Sequence, residues 1–202
     1  MLGSRHKRIR QAIDTMQPGT VFVISDFSDI ASAKTASKTL TRLTDEGIVR
    51  KLYRGVYFKP HGAGSVPYPD DVAHALARSN TWHVAPSGET ALHIFGLNKD
   101  RPCVWTYITD GTCRDYDIAG AKIVFQHASG KVLGAMSEKA ALLVQVLKAY
   151  GKPHLSDDTL AKIRLKLKPS DFKRLLEETK KAPAWISKIV QSMLHRKELA
   201  ND

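Results

Sequence analysis

The first 60 residues alternate between helical and β-strand periodicity in short segments, and this order constrains the fold more than any other feature of the chain. Over residues 4–16, apolar residues recur at the i, i+3, i+4, i+7 spacing of an amphipathic helix. A short β-prone run, 20–24, follows, and Ser25 is placed to cap a short second helix around Phe27. The chain therefore begins with a helix, a strand and a second helix.

A third helix is predicted over 34–46, and two β-rich runs, 48–53 and 56–59, follow it. The two runs are joined at Arg54-Gly55, which is a hairpin signal. Helix, short strand, helix, turn, helix and hairpin is the order of a winged helix-turn-helix, in which the hairpin is the wing. The sequence therefore predicts this fold for the N-terminal domain.

Residues 61–69 are dense in Gly and Pro, which is typical of a linker. We therefore assign 1–60 to the winged helix-turn-helix domain and 70–202 to a C-terminal domain. The predicted fold class is α+β, an N-terminal winged helix-turn-helix followed by a mixed α+β domain ending in a helical bundle. The elements predicted for the C-terminal domain are helices over 70–78, 137–150, 156–167, 169–180 and 183–199, a helix capped by Ser87, and strands over 82–84, 104–109 and 121–127.

The formal net charge is +11, which favours an acidic partner and most commonly nucleic acid. Residues 1–66 hold 11 Lys and Arg against 5 Asp and Glu, 67–150 hold 8 against 8, and 151–202 hold 12 against 7. The resulting sums of +6, 0 and +5 indicate different roles for the two basic ends and the neutral middle.

The third predicted helix carries the strongest functional signal. It has one apolar stripe, Ala36, Leu40 and Leu43, with hydroxyls and cations on the opposite face. Cations near phosphates release counterions, and Arg, Lys, Ser and Thr side chains can reach base edges in the major groove. A solvated surface helix is the alternative, and the neighbouring helix and hairpin favour DNA binding. The candidate DNA-binding residues here are Lys34, Thr35, Ser37, Lys38, Thr41 and Arg42.

The predicted hairpin and the first helix add further cations. Arg54 would lie at the hairpin tip, where winged domains contact the DNA backbone or the minor groove. Charge on an edge strand also protects it against pairing with other chains, so both interpretations stay open. The cations of the first helix have two interpretations, contacts to DNA phosphate or a disordered basic tail. The cations concerned are Arg50, Lys51, Arg54 and Lys59 in the hairpin, and Arg5, Lys7, Arg8 and Arg10 at the start of the chain.

The middle of the chain holds the side chains that catalysis or metal binding would need. They lack the tight spacing of metal ligands, and phosphate-loop, nucleophile-elbow and zinc-protease motifs are missing from the sequence. We interpret them as turn carboxylates and scattered histidines, and we expect no enzymatic activity, metal or cofactor. Cys103 and Cys113 are interpreted as reduced cytosolic thiols. The interpreted side chains are His83, His93, His127, Asp110, Asp115 and Asp117.

The hydrophobicity of the chain bears on its location. Its longest apolar runs fall well short of the roughly 20 residues of a membrane span. The first eight residues lack the apolar region of a signal peptide. We therefore expect a cytoplasmic protein with no membrane partner. Lys162, Arg164, Lys166 and Lys168 predict either a surface for an acidic partner or a solvated helical face.

Several strings, in their order along the chain, resemble the AbiEi-type antitoxin family of type IV toxin–antitoxin systems, in particular its branch long known as a domain of unknown function. The resemblance covers nearly the whole chain. The strings are Ser25-Asp26-Phe27, Leu40-Thr41-Arg42-Leu43, Gly47-Ile48-Val49-Arg50, Arg54-Gly55-Val56-Tyr57, Pro86-Ser87-Gly88, Ala91-Leu92, Gly96-Leu97, Tyr107-Ile108-Thr109-Asp110-Gly111 and Ala182-Pro183-Ala184-Trp185.

The resemblance implies a bacterial transcriptional autorepressor that binds double-stranded DNA at its own operator and counters a nucleotidyltransferase toxin. By this pattern the recognition helix corresponds to 34–42 and the wing to 50–59. Direct contact with the toxin stays open, because neutralisation of type IV does not require it. The alternatives are a non-catalytic protein-interaction module and a solitary regulator without a toxin. Oligomeric state is also open, since a single winged helix usually gains affinity by pairing on repeated half-sites.

Overall fold

The computed structural model describes residues 4–129 and 133–195, and in this part the chain forms eight α-helices and seven strands in two small sheets, a mixed α+β architecture. The helices are α1 (Arg5–Thr15), α2 (Ala33–Asp45), α3 (Pro69–Asn80), α4 (Gly88–Ile94), α5 (Glu138–Tyr150), α6 (Asp157–Leu165), α7 (Phe172–Thr179) and α8 (Ala184–His195). The strands are β1 (Val21–Val23), β2 (Arg50–Tyr53), β3 (Val56–Phe58), β4 (Val84–Pro86), β5 (Val104–Thr109), β6 (Arg114–Ile118) and β7 (Ala121–His127).

The N-terminal sheet is antiparallel with the strand order β1-β3-β2, so β3 is central and β2 lies at an edge. Phe22 and Tyr57 are register partners, and their stacked rings lie 5.9 Å apart in the core formed with α1 and α2. Helix α3 also contacts β1 and β3. Every residue of these two strands is buried, as expected for strands covered on both faces.

The chain divides into two compact units, residues 1–82 with 116–123, and residues 83–115 with 124–202. This division differs from the predicted linker at 61–69, because α3 belongs to the first unit. Val72 and Leu76 of α3 are buried. Strands as apolar as β1 and β3 need cover on their second face, and α3 supplies it.

The second unit is built on a sheet with the strand order β4-β5-β7-β6 and on helices α4 to α8. The tip of the β6–β7 hairpin, 116–123, belongs to the first unit. Helix α5 supplies much of the core through residues such as Leu143 and Leu147, which are fully buried. The predicted strands 104–109 and 121–127 are confirmed.

Strand β6 was not predicted. In it Tyr116 and Ile118 are buried and alternate with the exposed Asp115 and Asp117. This alternation is the period of a strand with one buried face. Asp115 and Asp117, interpreted above as turn residues, therefore lie on the exposed face of a strand, whereas Asp110 lies in the turn after β5.

Three local details also differ from prediction. The short second helix is a single 3₁₀ turn, Ile24–Phe27, and Asp26 rather than Ser25 caps it by accepting a hydrogen bond from the Val23 N–H at 2.9 Å. The predicted strand 82–84 begins at Val84, because the Trp82 N–H bonds to the Ala77 carbonyl and closes α3. Residues 169–171 form a 3₁₀ turn before α7, and the predicted end of the last helix, 196–199, lies outside the described residues.

The N-terminus of α5 is tied to α7 by one carboxylate. The Ser137 N–H and hydroxyl donate to Glu178 Oε2 at 2.9 and 2.5 Å, and Arg174 Nε donates to Oε1 at 2.7 Å. Burial opposes the charge, but the hydrogen bonds from Ser137 and Arg174 outweigh it and lower the pKa of Glu178 below its usual 4.5. The ionised carboxylate therefore stabilises this junction.

We predict that Glu178→Gln lowers the free energy of unfolding by about 1–2 kcal/mol at pH 7, since it weakens charge-assisted hydrogen bonds. Because the pKa of Glu178 is lowered in the folded state, its contribution is present above pH 4.5 and disappears as the pH falls through the folded value. Urea unfolding of both proteins should therefore give a difference that narrows below pH 4.5. Glu177→Gln is the control, since Glu177 is exposed and pairs with Lys180. A difference independent of pH would contradict this role.

Candidate nucleic-acid interface

Helix α2 has the two faces that the sequence predicts. Ser32 caps it by accepting from the Thr35 N–H at 3.4 Å. Its inner residues Ala36, Leu40 and Leu43 are buried against α1 and the N-terminal sheet. The outer face carries cations at i, i+4 and i+8. These cations, Lys34, Lys38 and Arg42, are exposed and make no ion pair or hydrogen bond with any described residue.

The hydroxyl residues of α2 are less available than its cations. Thr35 and Ser37 are half-buried, and the Thr35 hydroxyl hydrogen-bonds with that of Ser32 at 3.1 Å. Thr41 is exposed, and its hydroxyl donates to the Ser37 carbonyl at 3.0 Å. Of the three, Thr41 is the most accessible to a ligand, as an acceptor.

Thr39, which was not among the candidates, joins the first two helices. It is buried, and its hydroxyl hydrogen-bonds with His6 Nδ1 at 2.6 Å. An ion pair between Arg10 and Glu46, with 2.6 Å between Nη1 and Oε2, makes a second link between α1 and the end of α2. The sequence alone cannot distinguish a threonine that contacts a ligand from one that joins two helices, and the hydrogen bond to His6 shows that Thr39 has the second role.

The cations at the start of the chain lie in an ordered helix. Helix α1 begins at Arg5, and Ser4 caps it by accepting from the Lys7 N–H at 3.4 Å. Arg5 is exposed and Arg8 is half-buried, and neither pairs with a carboxylate in the described residues. The alternative of a disordered basic tail is therefore wrong for these residues.

The hairpin holds its cations in three different ways. Arg50 donates to the Ser65 carbonyl and lies over the Phe58 ring, 5.2 Å from its centroid. Lys51 and Arg54 are exposed and make no bond to the described part of the chain. The tip is fastened to the end of β1, because the Ile24 N–H donates to the Gly55 carbonyl at 3.2 Å. The hairpin is therefore short, and its tip is held against the rest of the first unit by a hydrogen bond.

Lys59, the fourth cation of the predicted hairpin, has an internal role. Its ammonium donates to the carbonyls of Ile13, Asp14 and Met16 at 2.7, 2.9 and 2.6 Å. These oxygens end α1, where a cation is stabilising. Lys59 therefore closes the first helix and is not a free contact for an external anion.

His83, His127 and Asp110 of the middle segment make local contacts at turns. His83 donates its backbone N–H to Asp110 Oδ1 at 2.8 Å, and its Nδ1 lies 2.7 Å from Oδ2. His127 bonds to the Gly111 carbonyl, and its N–H contacts Cys113 Sγ at 3.2 Å. Within residues 4–129 and 133–195, no three potential metal ligands cluster. No helix in the same ranges is both long and apolar enough to cross a membrane.

Comparison with known proteins gives a family match and a distant structural likeness. Residues 8–175 match the family described as a family of unknown function (DUF6088). No curated protein matches the sequence. Among solved structures, the RV2827C protein from Mycobacterium tuberculosis is 14% identical, with 96% of this chain and 78% of that chain covered and a TM-score of 0.44.

The contrast between Lys59 and Lys51 gives a direct test of which cations are structural. We predict that Lys59→Met lowers the free energy of unfolding by about 1–2 kcal/mol, since three helix-terminal carbonyls lose a charged donor. Lys51→Met removes a cation whose side chain has no partner in the described part of the chain, and it should change stability by less than about 0.5 kcal/mol. Urea denaturation measures both. Equal destabilisation by the two substitutions would contradict the assignment.

Proposed function

This chain belongs to the DUF6088 family of unknown function, and we propose that it is a DNA-binding transcriptional regulator whose first unit is a winged helix-turn-helix. The observation that carries this proposal is the outer face of α2. Its cations Lys34, Lys38 and Arg42 have no partner among the described residues, while its inner face is locked into the core. Unpaired cations on a rigid helix are suited to a polyanion.

The order of elements supports the winged helix-turn-helix. Helix α1, the 3₁₀ turn Ile24–Phe27, α2 and the β2–β3 hairpin follow the order of that motif. In this arrangement α2 is the recognition helix. At about 1.5 Å per residue its cations span about 12 Å, which matches the width of the major groove.

The remaining candidates fit around the recognition helix. We assign Lys51 and Arg54 to phosphate contacts beside the groove, because both are exposed and unpaired in the described structure. Arg50 is held by Ser65 and Phe58, so we assign it to orienting the hairpin, with its remaining N–H groups available to phosphate. Arg5 and Arg8 on α1 add positive charge for non-specific attraction.

Binding to the DNA upstream of its own gene tests the proposal, measured by fluorescence anisotropy against scrambled DNA at several salt concentrations. We expect Lys38→Ala and Arg42→Ala each to weaken operator binding by about tenfold. Each lost phosphate contact should reduce the salt slope by about 1. Both variants should unfold within about 0.5 kcal/mol of wild type, since neither side chain has a partner among the described residues.

The matched control is Lys173→Ala, which removes an exposed cation of another helix, α7. It should bind operator DNA as wild type does. Wild-type affinity in the Lys38 and Arg42 variants would contradict the recognition-helix assignment. An equal loss in the Lys173 variant would indicate a general effect of net charge instead.

We further propose, from the ordered strings that resemble the AbiEi-type family, that the regulator is the antitoxin of a type IV system and acts in the cytoplasm. Co-expression with a nucleotidyltransferase toxin encoded beside it tests this role through bacterial growth. Wild type should restore growth, and a Lys38→Ala/Arg42→Ala variant should still do so if neutralisation is separate from operator binding. A toxin that stays active beside wild-type protein would contradict the antitoxin role and leave a solitary regulator.

A further inference from the structure

A cleft of about 770 Å³ lies within the second compact unit, away from the residues assigned to DNA. Its walls come from the start of α4, the loop that follows α4, strands β5 and β7, and the last turns of α5. Volumes of this size are typical of small-molecule sites. Ser87 and Gly88 of one string singled out in the sequence line the cleft, and so does Ile108 of another.

The floor of the cleft is a largely apolar strip of β5. Val104, Thr106 and Ile108 line the cleft, whereas the alternate residues of the strand are buried. The backbone of Thr106 is already satisfied, because its N–H donates to Thr90 Oγ1 at 2.8 Å and its carbonyl accepts from the Ser87 N–H at 2.9 Å. A flat apolar ring can therefore pack on this strip without leaving a backbone group unpaired.

Gln145 on α5 is the feature that points to a ligand. Its side chain borders the cleft, the residue is only 6% exposed, and no described residue hydrogen-bonds with its amide. The amide atoms of Gln145 are open to the cleft rather than enclosed, and the neighbouring buried residues of α5 are aliphatic. Gln126 of β7 also lines the cleft and supplies a second carboxamide without a partner in the described structure.

Charged groups surround the rim. Lys148 lies three residues beyond Gln145 on α5 and is exposed without an ion pair among the described residues. Arg101 lies in the loop after α4 and also lines the cleft. Two carboxylates complete the rim, Asp100 and Glu89, and one oxygen of Glu89 accepts from Asn98 Nδ2 at 3.0 Å.

We infer that this cleft binds a ribonucleotide, with an adenine base favoured. The base would pack on the β5 strip, and the Gln145 amide would pair with its N6 and N7 atoms, the pairing that glutamine makes with adenine. Lys148 and Arg101 bind the phosphate. The rim carboxylates accept hydrogen bonds from the ribose hydroxyls, as acidic residues do in dinucleotide sites.

Isothermal titration of the full chain with AMP, ATP, GTP and adenosine tests this assignment. We expect saturable binding of AMP and ATP at one site, weaker binding of GTP, and at least tenfold weaker binding in Gln145→Leu. Leucine fills the same volume and removes an unpaired amide, so this variant should keep its unfolding temperature. Lys148→Ala should weaken AMP binding and leave adenosine binding unchanged, which separates the phosphate contact from the base contact.

Because the chain is basic, the control must separate this cleft from the DNA-binding face. The Lys38→Ala/Arg42→Ala variant should bind AMP as wild type does, and Gln145→Leu should bind operator DNA as wild type does. Loss of AMP binding in the Lys38→Ala/Arg42→Ala variant would show that AMP binds to the DNA-binding face, and it would overturn the assignment. The absence of saturable ribonucleotide binding, or unchanged affinity in Gln145→Leu, would also overturn it.

Discussion

Burial of the apolar stripe of α2 is the constraint on which the first unit depends. Leu40 and Leu43 pack with Phe22, whose ring stacks on Tyr57 from the central strand. Fixing one side of a helix in a close-packed core fixes the direction of the opposite side. The same packing that stabilises the unit therefore presents a row of cations at helical spacing, and no side-chain rearrangement is needed to form that row.

The cations of the first unit fall into two groups, those with an internal partner and those without one among the described residues. Arg10, Arg50 and Lys59 are engaged by a carboxylate, by a carbonyl and an aromatic ring, and by a helix terminus. Lys34 and Lys38 have no such engagement within the described residues. Net charge alone cannot make this distinction. It matters for function, because only a cation without an internal partner adds its full electrostatic contribution to binding an external phosphate.

The second unit differs from the first in its concave surface. The unit holds 18 Lys and Arg against 12 Asp and Glu, and one concave surface in it combines an apolar strand face with amides and a mixed-charge rim. Such a surface suits a small polar ligand better than a polyanion. The cleft, rather than the net charge, distinguishes the second unit from the first, since the first unit is also basic, with 13 Lys and Arg against 8 Asp and Glu.

Neighbouring residues alone were enough to predict α2, β5 and β7, because the periodicity of residues 34–46 and the strand pattern of 104–109 and 121–127 are local. The sequence also identified the exposed cations of α2. Tertiary structure decided the rest. Long-range packing places α3 against the N-terminal sheet, Lys59 at the C-terminus of α1 and Gln145 beside the cleft. Strand β6 has the alternation of buried and exposed residues that is typical of a strand, but its aspartates were interpreted as turn residues. The physical reason is that periodicity is local, whereas a side chain's partner can come from any part of the chain.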